Sequence, residues 1–427
     1  MTTPISYDLG RPVTLERDES AEDRWVLNFG PQHPATHTTL RLVLEVEGER
    51  IVNCIPDIGY LHSGFEKLGE VLDWNQYVVI TERINYVCPI TNNITFHMAV
   101  EQLFGLECTP RCKAIRTILG ELGRMQDHLL NVGVSGLDLG GLTAFLYGFN
   151  EREIINDLVE EISGARFHPS YTRVGGLAQD APPGWTDRVL DFVKTRVPPA
   201  LADVEALLLR NRIFIERTKG IGVISHDDAI NWSLSGPLAR ASGVKRDLRK
   251  DEPYLCFAPN WDGQGAPAVD FKVPIAYGGD VYARFLARLE EIRQSCRIIE
   301  QLITMFRDTG GLPPGPINIF DEGKTVLPSK HEIYFSIEGL IAHFEKIMSN
   351  RGLRPPAGEA YFAQETSNGE QGFYVASDGG RYPWRVRCRP PSFINYQVFP
   401  HLIRGHQLSD IPAVLNSINV IAAELDR

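Results

Sequence analysis

The chain of 427 residues lacks the features of a secreted or membrane-spanning protein. Its seven cysteines are an odd number scattered along the chain, which argues against a disulfide framework and favours a reducing, cytosolic compartment. The N-terminus has no basic segment followed by an apolar one, so we expect no signal peptide. No apolar run reaches the roughly 18 residues that a bilayer requires. We therefore expect any membrane contact to be peripheral.

The sequence also lacks an excess of basic charge. Its formal net charge is -11, and no basic patch with interleaved aromatic residues is present, so we do not expect it to bind nucleic acid. With 43% hydrophobic and 23% charged residues, the composition is that of an ordinary globular protein. The length allows two or three domains, or one large interlocked domain.

Nucleotide-binding and hydrolase motifs are incomplete. The segment Gly323 to Thr325 ends like a phosphate-binding loop, but position 318 holds Asn318 instead of the required glycine. A possible dinucleotide fingerprint at Gly220 has Ser225 in place of its third glycine. No Gly-x-Ser-x-Gly elbow occurs. We therefore expect this chain to bind neither NAD nor ATP.

Candidate metal ligands are also incomplete. His33 and His37 have the spacing of a zinc-binding helix, but Pro34 occupies the place of the glutamate and predicted strands flank the pair. Cys108 and Cys112 have no second cysteine pair or nearby histidine that would complete a four-ligand site. We expect no metal at either place and interpret the two cysteines as ordinary thiols near a helix start.

The tract Gly30 to His37 is the most informative segment that is present. Pro31 and Pro34 fix their own backbone angles and push the preceding residues out of the helical region. Strands are predicted on both sides, with an alternating apolar pattern from Leu40 to Val46. We therefore predict a stiff extended loop at the end of a sheet, which presents two imidazoles.

Helices dominate the middle of the chain. An apolar stripe at helical spacing predicts a helix over 111–132, and a heptad pattern predicts another from Tyr282 to Phe306. Ser329 and Glu332 have the form of a capping box ahead of a third apolar stripe that extends to Ile347.

The C-terminal part changes to strand patterns. Three strands are predicted over 359–366, 372–377 and 381–389, with turns at Asn368-Gly369 and at 378–380. Arginines occupy one face of the last strand, and this face is either solvated or an interface with a protein or a redox cofactor; the arginines are Arg385, Arg387 and Arg389.

These patterns predict an α+β protein. We divide it into an N-terminal arm (1–23), an N-terminal antiparallel β unit (24–58), a central helical bundle (59–355) and a C-terminal β meander and tail (356–427). These parts are expected to form one interlocked domain.

Two further segments combine reactive side chains with chain breaks. Tyr86 lies in the segment 82–89 just before a predicted helix, and Asp138 lies in the glycine-rich segment 135–141 between two predicted helices. Taken alone, Tyr86 could simply pack in the core, and Asp138 could simply form a turn or cap a helix.

Together these segments resemble one family closely. The chain resembles the D-type subunit of respiratory complex I, which is the large hydrophilic quinone-site subunit of the proton-translocating NADH:quinone oxidoreductase. The similarity extends from Trp25 to Arg427 and is carried by motifs in the same order. These motifs are the tract Gly30 to His37, Ile58–Lys67, Leu137–Gly140, Glu151–Glu153, Ser163–Arg166, Arg173–Gly176 and Pro391–Phe393.

That family is itself similar to the large subunit of nickel–iron hydrogenases, which implies a hydrogenase-large-subunit-like fold. The four metal-binding cysteines of the hydrogenases correspond here to Asn85, Cys88, Ile421 and Glu424. Only one thiolate remains, and soft metals require thiolate ligands, so we expect no nickel–iron centre. In the family, the vacated cavity holds the quinone headgroup.

The resemblance implies a role for each site residue. His37 and Tyr86 match the pair that hydrogen-bonds the two ends of the quinone headgroup, and Asp138 matches the carboxylate that pairs with the histidine. Tyrosine and histidine are suitable proton donors to a reduced quinone. His33 is placed beside the headgroup, where we expect it mainly to shape the loop.

The resemblance also implies the cofactors, partners and location. Electrons would come from a 4Fe-4S cluster in a B-type partner, because this chain lacks cysteine spacing for a cluster of its own. It would bind no flavin or metal itself. Further partners would be subunits of the C and I types and a membrane-arm subunit of the H type, on the cytoplasmic side of a bacterial inner membrane. Arg83 and the Arg385 face are candidates for facing the cluster.

Some positions depart from the family, and three alternatives stay open. Asn85 replaces an aspartate, Thr38 a glycine, and Asp57 and Ser63 a histidine and an arginine. The alternatives are a nickel–iron hydrogenase, a non-catalytic scaffold, and the equivalent subunit of a sister complex fed by ferredoxin or another donor.

Overall fold

A computed structural model describes residues 15–17, 24–37, 39–320, 325–348 and 351–427. The strands are β1 (Leu15–Arg17), β2 (Arg24–Phe29), β3 (Arg41–Glu47), β4 (Arg50–Asp57), β5 (Thr172–Arg173), β6 (Gly176–Leu177), β7 (Gly358–Glu365), β8 (Glu370–Ser377) and β9 (Arg385–Arg389). The predicted α+β class, with an N-terminal antiparallel unit, a central bundle and a C-terminal meander, is confirmed.

The helices fill the space between the two main sheets. The α-helices are α1 (Phe65–Leu68), α2 (Val78–Ile84), α3 (Pro89–Phe104), α4 (Pro110–Asp138), α5 (Leu142–Ser163), α6 (Trp185–Asp191), α7 (Val197–Leu208), α8 (Arg212–Thr218), α9 (His226–Asn231), α10 (Gly236–Arg240), α11 (Leu248–Asp251), α12 (Val281–Met305), α13 (Lys330–Phe335), α14 (Ile337–Ile347), α15 (Pro391–Tyr396), α16 (Phe399–Ile403), α17 (Ile411–Ile418) and α18 (Ala422–Asp426). Short 3-10 turns cover Pro34–Thr36, Leu255–Phe257, Arg307–Thr309 and Leu408–Asp410, and a π-helical stretch covers Phe192–Arg196.

The N-terminal sheet has the order β1-β2-β3-β4, and all its neighbours are antiparallel. Its apolar face packs on α16 and α17 near the other end of the chain, which joins both ends in one hydrophobic core. Three residues of the predicted arm form β1, and the rest of the arm lies outside the described residues. Arg41 and Val43 lie on the face of β3 that the alternating pattern predicts to be exposed, but both residues are buried.

The long helices α4, α5 and α12 form the centre of the bundle, and apolar patterns in the sequence predicted α4 and α12. The C-terminal meander β7-β8-β9 packs its inner face against α3. The turn predicted at Asn368-Gly369 joins β7 and β8, and the predicted capping box of Ser329 and Glu332 is present. The helix after this box breaks at Ser336, whose hydroxyl caps α14.

A buried network of charges connects the bundle to the meander. Arg240 Nη2 lies 2.6 Å from Glu291 Oε1, and its Nη1 lies 2.6 Å from Glu365 Oε1. His128 Nε2 lies 2.7 Å from Glu291 Oε2. Burial alone would raise the pKa of Glu291, but Arg240 and His128 hold that pKa well below its ordinary value. Glu291 and Arg240 therefore stay charged, and the contacts of this network join α4, α10, α12 and β7.

Over the described stretches of chain, the structure has no helix with both the length and the apolar character to cross a bilayer. Helix α14 instead leaves an apolar face in the open, where Ile337 is 74% exposed and Phe344 is 50% exposed. Exposed apolar surface of this kind is typical of a contact with another protein.

Candidate functional site

The tract Gly30 to His37 lies between β2 and β3 and is partly extended. His33 has φ -138 and ψ 129, as the following proline requires. The residues Pro34–Thr36 then form one 3-10 turn, so the prediction of an extended loop throughout is wrong. The turn forms because a proline fits its first position and because His33 Nδ1 accepts the Ala35 N–H at 3.1 Å.

The side chains of His33 and His37 lie in different environments. The His33 ring packs on the Phe29 ring, with centroids 4.1 Å apart, and its Nδ1 is occupied by the cap. His37 takes the left-handed conformation at φ 58, which ends the turn. The loop-shaping role expected for His33 agrees with this geometry, whereas the His37 side chain is available for other contacts.

His37 meets Asp138 at the end of α4. His37 Nε2 lies 2.9 Å from Asp138 Oδ2, and both side chains are mostly buried. The alignment is not that of a hydrogen bond, so both atoms are buried polar atoms without a hydrogen-bond partner. Asp138 is the last residue of α4, whereas the sequence suggested that it lies in a flexible break. A carboxylate at a helix C-terminus is electrostatically unfavourable, which favours its approach to an imidazolium.

Tyr86 lies in the short connection between α2 and α3. Its ring packs against a hydrophobic cluster that includes Ile84 and Ala423. Burial raises the pKa of Tyr86, and the negative charges of Glu424 and Asp127 raise it further. The phenol therefore stays protonated at neutral pH and keeps its own O–H available as a donor.

Asn85 links this connection to the last helix. Its Oδ1 accepts the N–H groups of Val87 at 3.1 Å and Cys88 at 3.0 Å, which fixes the orientation of the amide. Its Nδ2 donates to Glu424 Oε1 at 2.7 Å. The resemblance implies that both residues stand at cysteine positions of the hydrogenases, and here an amide–carboxyl hydrogen bond joins them.

Glu424 is fully buried and has only neutral hydrogen-bond donors. Its Oε2 accepts from the hydroxyl and the backbone N–H of Ser392, and the backbone contact is 3.3 Å long. Burial raises the pKa of Glu424 to about 7, against the opposing effect of Ser392. Glu424 therefore exchanges a proton close to neutral pH.

The C-terminal segment 411–426 packs near both the His37–Asp138 pair and Tyr86. Helix α17 packs on the 3-10 turn before His37 and on α4, which carries Asp138. Helix α18 contains Ala423, which belongs to the hydrophobic cluster against which Tyr86 packs. The structure therefore brings His37 to Asp138 near α17, and it places Tyr86 near α18 of the same C-terminal segment.

Asp127 is a site residue that the sequence did not indicate. It is buried on α4, where its Oδ1 accepts from Asn419 Nδ2 at 3.0 Å and its Oδ2 accepts from the Ser367 hydroxyl. Its charge acts on both Tyr86 and Glu424. The apolar stripe of α4 gave no signal for it, because Asp127 lies off that stripe.

The two arginine candidates have carboxylate partners. Arg385 bonds Glu70 at 2.9 Å and Glu66 at 3.1 Å, so its charge is offset within the chain. Arg83 bonds Glu82 at 2.8 Å and is about half exposed. Its role toward a cluster stays a prediction.

Comparison with known proteins adds an independent result. The sequence profile described as "Respiratory-chain NADH dehydrogenase, 49 Kd subunit" matches residues 138–427. Asp138 and the segment 411–426 lie within this match, whereas the histidine tract and Tyr86 precede it.

Full-length relatives cover the remaining part. A protein of Methylacidiphilum infernorum, named as the D subunit of NADH-quinone oxidoreductase, is 44% identical over 99% of this chain and 100% of its own length. A protein of Akkermansia muciniphila with the same name is 46% identical, over 96% of this chain and 94% of its own length. A Bdellovibrio bacteriovorus protein, named as the C/D subunit of NADH-quinone oxidoreductase, is 47% identical over 94% of this chain and 68% of its own length.

Proposed function

Because the chain belongs to the family of the D-type, 49-kDa subunit of respiratory NADH-quinone oxidoreductase, we propose that it binds the quinone headgroup between His37 and Tyr86. Membership makes it a component of an oxidoreductase complex whose other subunits are its partners. The proposal concerns where quinone binds and which side chains supply protons.

The observation that carries the proposal is the pair of His37 and Asp138. His37 Nε2 is buried beside a carboxylate oxygen at 2.9 Å but has no hydrogen bond. A buried donor without a partner is costly, and a ligand oxygen would satisfy it. A quinone carbonyl supplies such an oxygen.

Tyr86 would serve the second carbonyl of the headgroup. Its phenol O–H can donate a hydrogen bond to a ligand oxygen. Its raised pKa keeps the proton in place until the quinone oxygen becomes strongly basic on reduction. After the transfer, the nearby carboxylates disfavour a phenolate and so favour its reprotonation.

The reaction adds two electrons and two protons to quinone and yields quinol. We propose that a 4Fe-4S cluster of a B-type partner supplies the electrons and that His37 and Tyr86 each give one proton. Once His37 is neutral, its attraction to Asp138 falls, and Asp138 is held at an unfavourable helix end. Movement of this carboxylate is our candidate for the step that links reduction to proton translocation.

We propose a peripheral position on the cytoplasmic side of a bacterial inner membrane, next to an H-type subunit of the membrane arm. Subunits of the C and I types are further proposed neighbours. A C-type neighbour is supported by the Bdellovibrio relative, whose name joins C and D in one protein. The exposed apolar face of α14 supports contact with another subunit of the complex.

Substitution in the assembled complex tests the site. Tyr86→Phe and His37→Ala should each lower NADH:quinone activity by about a hundredfold, because each removes a proton donor. Oxidation of NADH by ferricyanide should persist, because it bypasses the quinone. Matched controls are Tyr334→Phe and His401→Ala, which change exposed side chains. Quinone reduction that survives both site substitutions would show that the assignment is wrong.

A further inference from the structure

Asp127 is a buried carboxylate on α4 that binds two segments distant from it in the sequence. Its Oδ1 accepts a hydrogen bond from Asn419 Nδ2 at 3.0 Å, and its Oδ2 accepts one from the Ser367 hydroxyl. Asn419 Nδ2 also donates to Asn368 Oδ1. Ser367 and Asn368 lie in the turn between β7 and β8, whereas Asn419 follows α17. Asp127 thus joins α4 to the meander and to the C-terminal segment through neutral donors.

Asn419 lies in the short connection between α17 and α18. It ends α17 in the left-handed conformation, with φ 59 and ψ 56, and α18 begins at Ala422. Asparagine adopts this conformation more readily than most residues other than glycine. Because its side chain is bound to Asp127, the place where α17 ends and the chain continues to α18 is fixed against α4.

Two further side chains of α4 hold α17 on the same face of the helix. Asn131 Nδ2 donates to the Asn416 carbonyl at 2.8 Å, and Asn416 Nδ2 donates to Ser135 Oγ at 2.7 Å. Asp127, Asn131 and Ser135 follow one another at intervals of four residues, so they lie on one face of α4. The same face continues to Asp138, three residues farther along the helix. The face of α4 that binds the C-terminal segment therefore ends at the proposed headgroup site.

The two sides of that site contact different helices of the C-terminal segment. On one side, α17 packs on the 3-10 turn that precedes His37. On the other side, Glu424 of α18 accepts from Asn85 Nδ2 at 2.7 Å, and Asn85 is the neighbour of Tyr86. The connection that Asp127 binds lies between these two helices. The separation of His37 and Tyr86 therefore depends on where this connection is held.

We propose that Asp127 is a positioning residue that fixes the distance between His37 and Tyr86 and so matches them to the two carbonyl oxygens of a quinone. This inference rests on the proposed function, because it assumes that the headgroup binds between these two side chains. A quinone ring is rigid and holds its carbonyl oxygens at a constant separation, so the donors must keep a constant separation as well. A displacement of about 1 Å can lower a rate by about a hundredfold. Asp127 acts on this distance through Asn419 and does not itself touch the quinone.

Two substitutions in the assembled complex separate the hydrogen bonds of Asp127 from its charge. Asp127→Asn keeps an oxygen that accepts from Asn419 and gains an amide group that donates to the Ser367 hydroxyl. Asp127→Ala removes both bonds. With Asp127→Ala we expect the KM for quinone to rise by about tenfold and kcat to fall by about tenfold. With Asp127→Asn both constants should stay within about twofold of the wild type. Oxidation of NADH by ferricyanide should be unchanged in both variants.

Asn419→Gly tests the same contact from the other side. Glycine adopts the left-handed conformation without strain, so the backbone is kept while the amide group is lost. We expect a rise in the KM for quinone similar to that of Asp127→Ala. The double variant should be about as impaired as Asp127→Ala alone, because both changes remove one contact. Losses that multiply independently would contradict the inference.

Amide hydrogen exchange in the segment 411–426 gives a second readout that needs no quinone. Asp127→Ala and Asn419→Gly should each speed this exchange, and Asp127→Asn should not. The inference is wrong if Asp127→Asn impairs quinone reduction as much as Asp127→Ala, because charge would then be the cause. It is equally wrong if exchange becomes faster while the KM for quinone stays unchanged. Failure of the proposed function gives a different result, since quinone reduction would then survive His37→Ala and Tyr86→Phe.

Discussion

Asn85 and Glu424 are 339 positions apart in the sequence and share a buried hydrogen bond of 2.7 Å. The carboxyl group accepts only neutral donors, from this amide and from Ser392. Burial raises the pKa of Glu424 to about 7, so the bond joins a fixed amide to a group that changes charge near neutral pH. Tyr86 is the neighbour of Asn85 and senses the charge of Glu424.

Glu424 should make the folded state less stable as pH rises from about 4.5 to about 7. The unfolded glutamate loses its proton near pH 4.5, whereas the folded one keeps it up to about 7. Between these values the folded state binds more protons, so the free energy of unfolding falls with rising pH, by up to about 3 kcal/mol. Glu424→Gln should remove this part of the pH dependence.

Urea unfolding at several pH values measures the difference between the wild type and Glu424→Gln. The control is Glu252→Gln, which changes an exposed glutamate and should leave the slope unchanged. Equal slopes for the wild type and Glu424→Gln between pH 4.5 and 7 would contradict the assignment of a raised pKa.

Asn85→Asp should create a carboxyl pair that keeps one proton. The acceptor for the Val87 and Cys88 N–H groups would remain, but a second carboxyl oxygen would face Glu424 across 2.7 Å. Like charges at this distance cannot both ionise cheaply. We expect the infrared absorption of a protonated carboxyl group to persist well above pH 7.

The matched control combines Asn85→Asp with Glu424→Gln, which restores an amide–carboxyl pair in the reverse orientation. The absorption of the protonated carboxyl should then disappear at neutral pH. If the single variant already lacks this absorption at neutral pH, the two carboxyl groups do not share a proton.

Local signals in the sequence predicted much of the fold. The capping box at Ser329 and the Asn368-Gly369 turn depend on residues a few positions apart, and both are present. The end of α4 was predicted too early because glycines near Asp138 indicated a break, but Gly136 is tolerated where Ala144 and Leu208 pack closely. The C-terminal end of α4 thus depends on packing against residues that are distant in the sequence, and a local sequence pattern does not show such packing.

The candidate site was predictable in residue identity but not in arrangement. His37, Tyr86 and Asp138 were named from resemblance, and their proposed roles stay predictions. The contacts of Asn85 with Glu424 and of Asp127 with Asn419 join distant segments, so no periodicity reveals them. Such pairs depend on how α4 and the C-terminal segment pack together.

Asp138→Asn should lower quinone reduction by about tenfold or more. The amide would keep the size of the side chain but remove the charge that faces His37 Nε2 at 2.9 Å. NADH oxidation by ferricyanide should stay unchanged, and Asp203→Asn, at an exposed position on α7, should affect neither reaction.

The two residues should also act as a unit. The double variant of Asp138→Asn with His37→Ala should be about as slow as His37→Ala alone, because the carboxylate acts through the imidazole. Losses that multiply independently would contradict a functional pair.

Gly30→Ala should distort the backbone of the histidine tract more than Gly48→Ala distorts the turn between β3 and β4. Gly30 has φ +87, and an added Cβ would lie 2.1 Å from the Leu40 carbonyl oxygen. Gly48 also has a positive φ, +61, but an added Cβ there meets nothing within 4 Å. Both substitutions incur the backbone penalty of about 1–2 kcal/mol, and only Gly30→Ala also introduces the clash.

Urea unfolding should therefore show a loss for Gly30→Ala that exceeds the loss for Gly48→Ala by about 1–3 kcal/mol. Quinone reduction should fall with Gly30→Ala as well, because the displaced backbone carries His37, and it should stay near the wild-type rate with Gly48→Ala. Equal losses of stability for both variants would mean that the backbone of the tract shifts to accommodate the added Cβ atom. In that case a rigid backbone is not what positions His37.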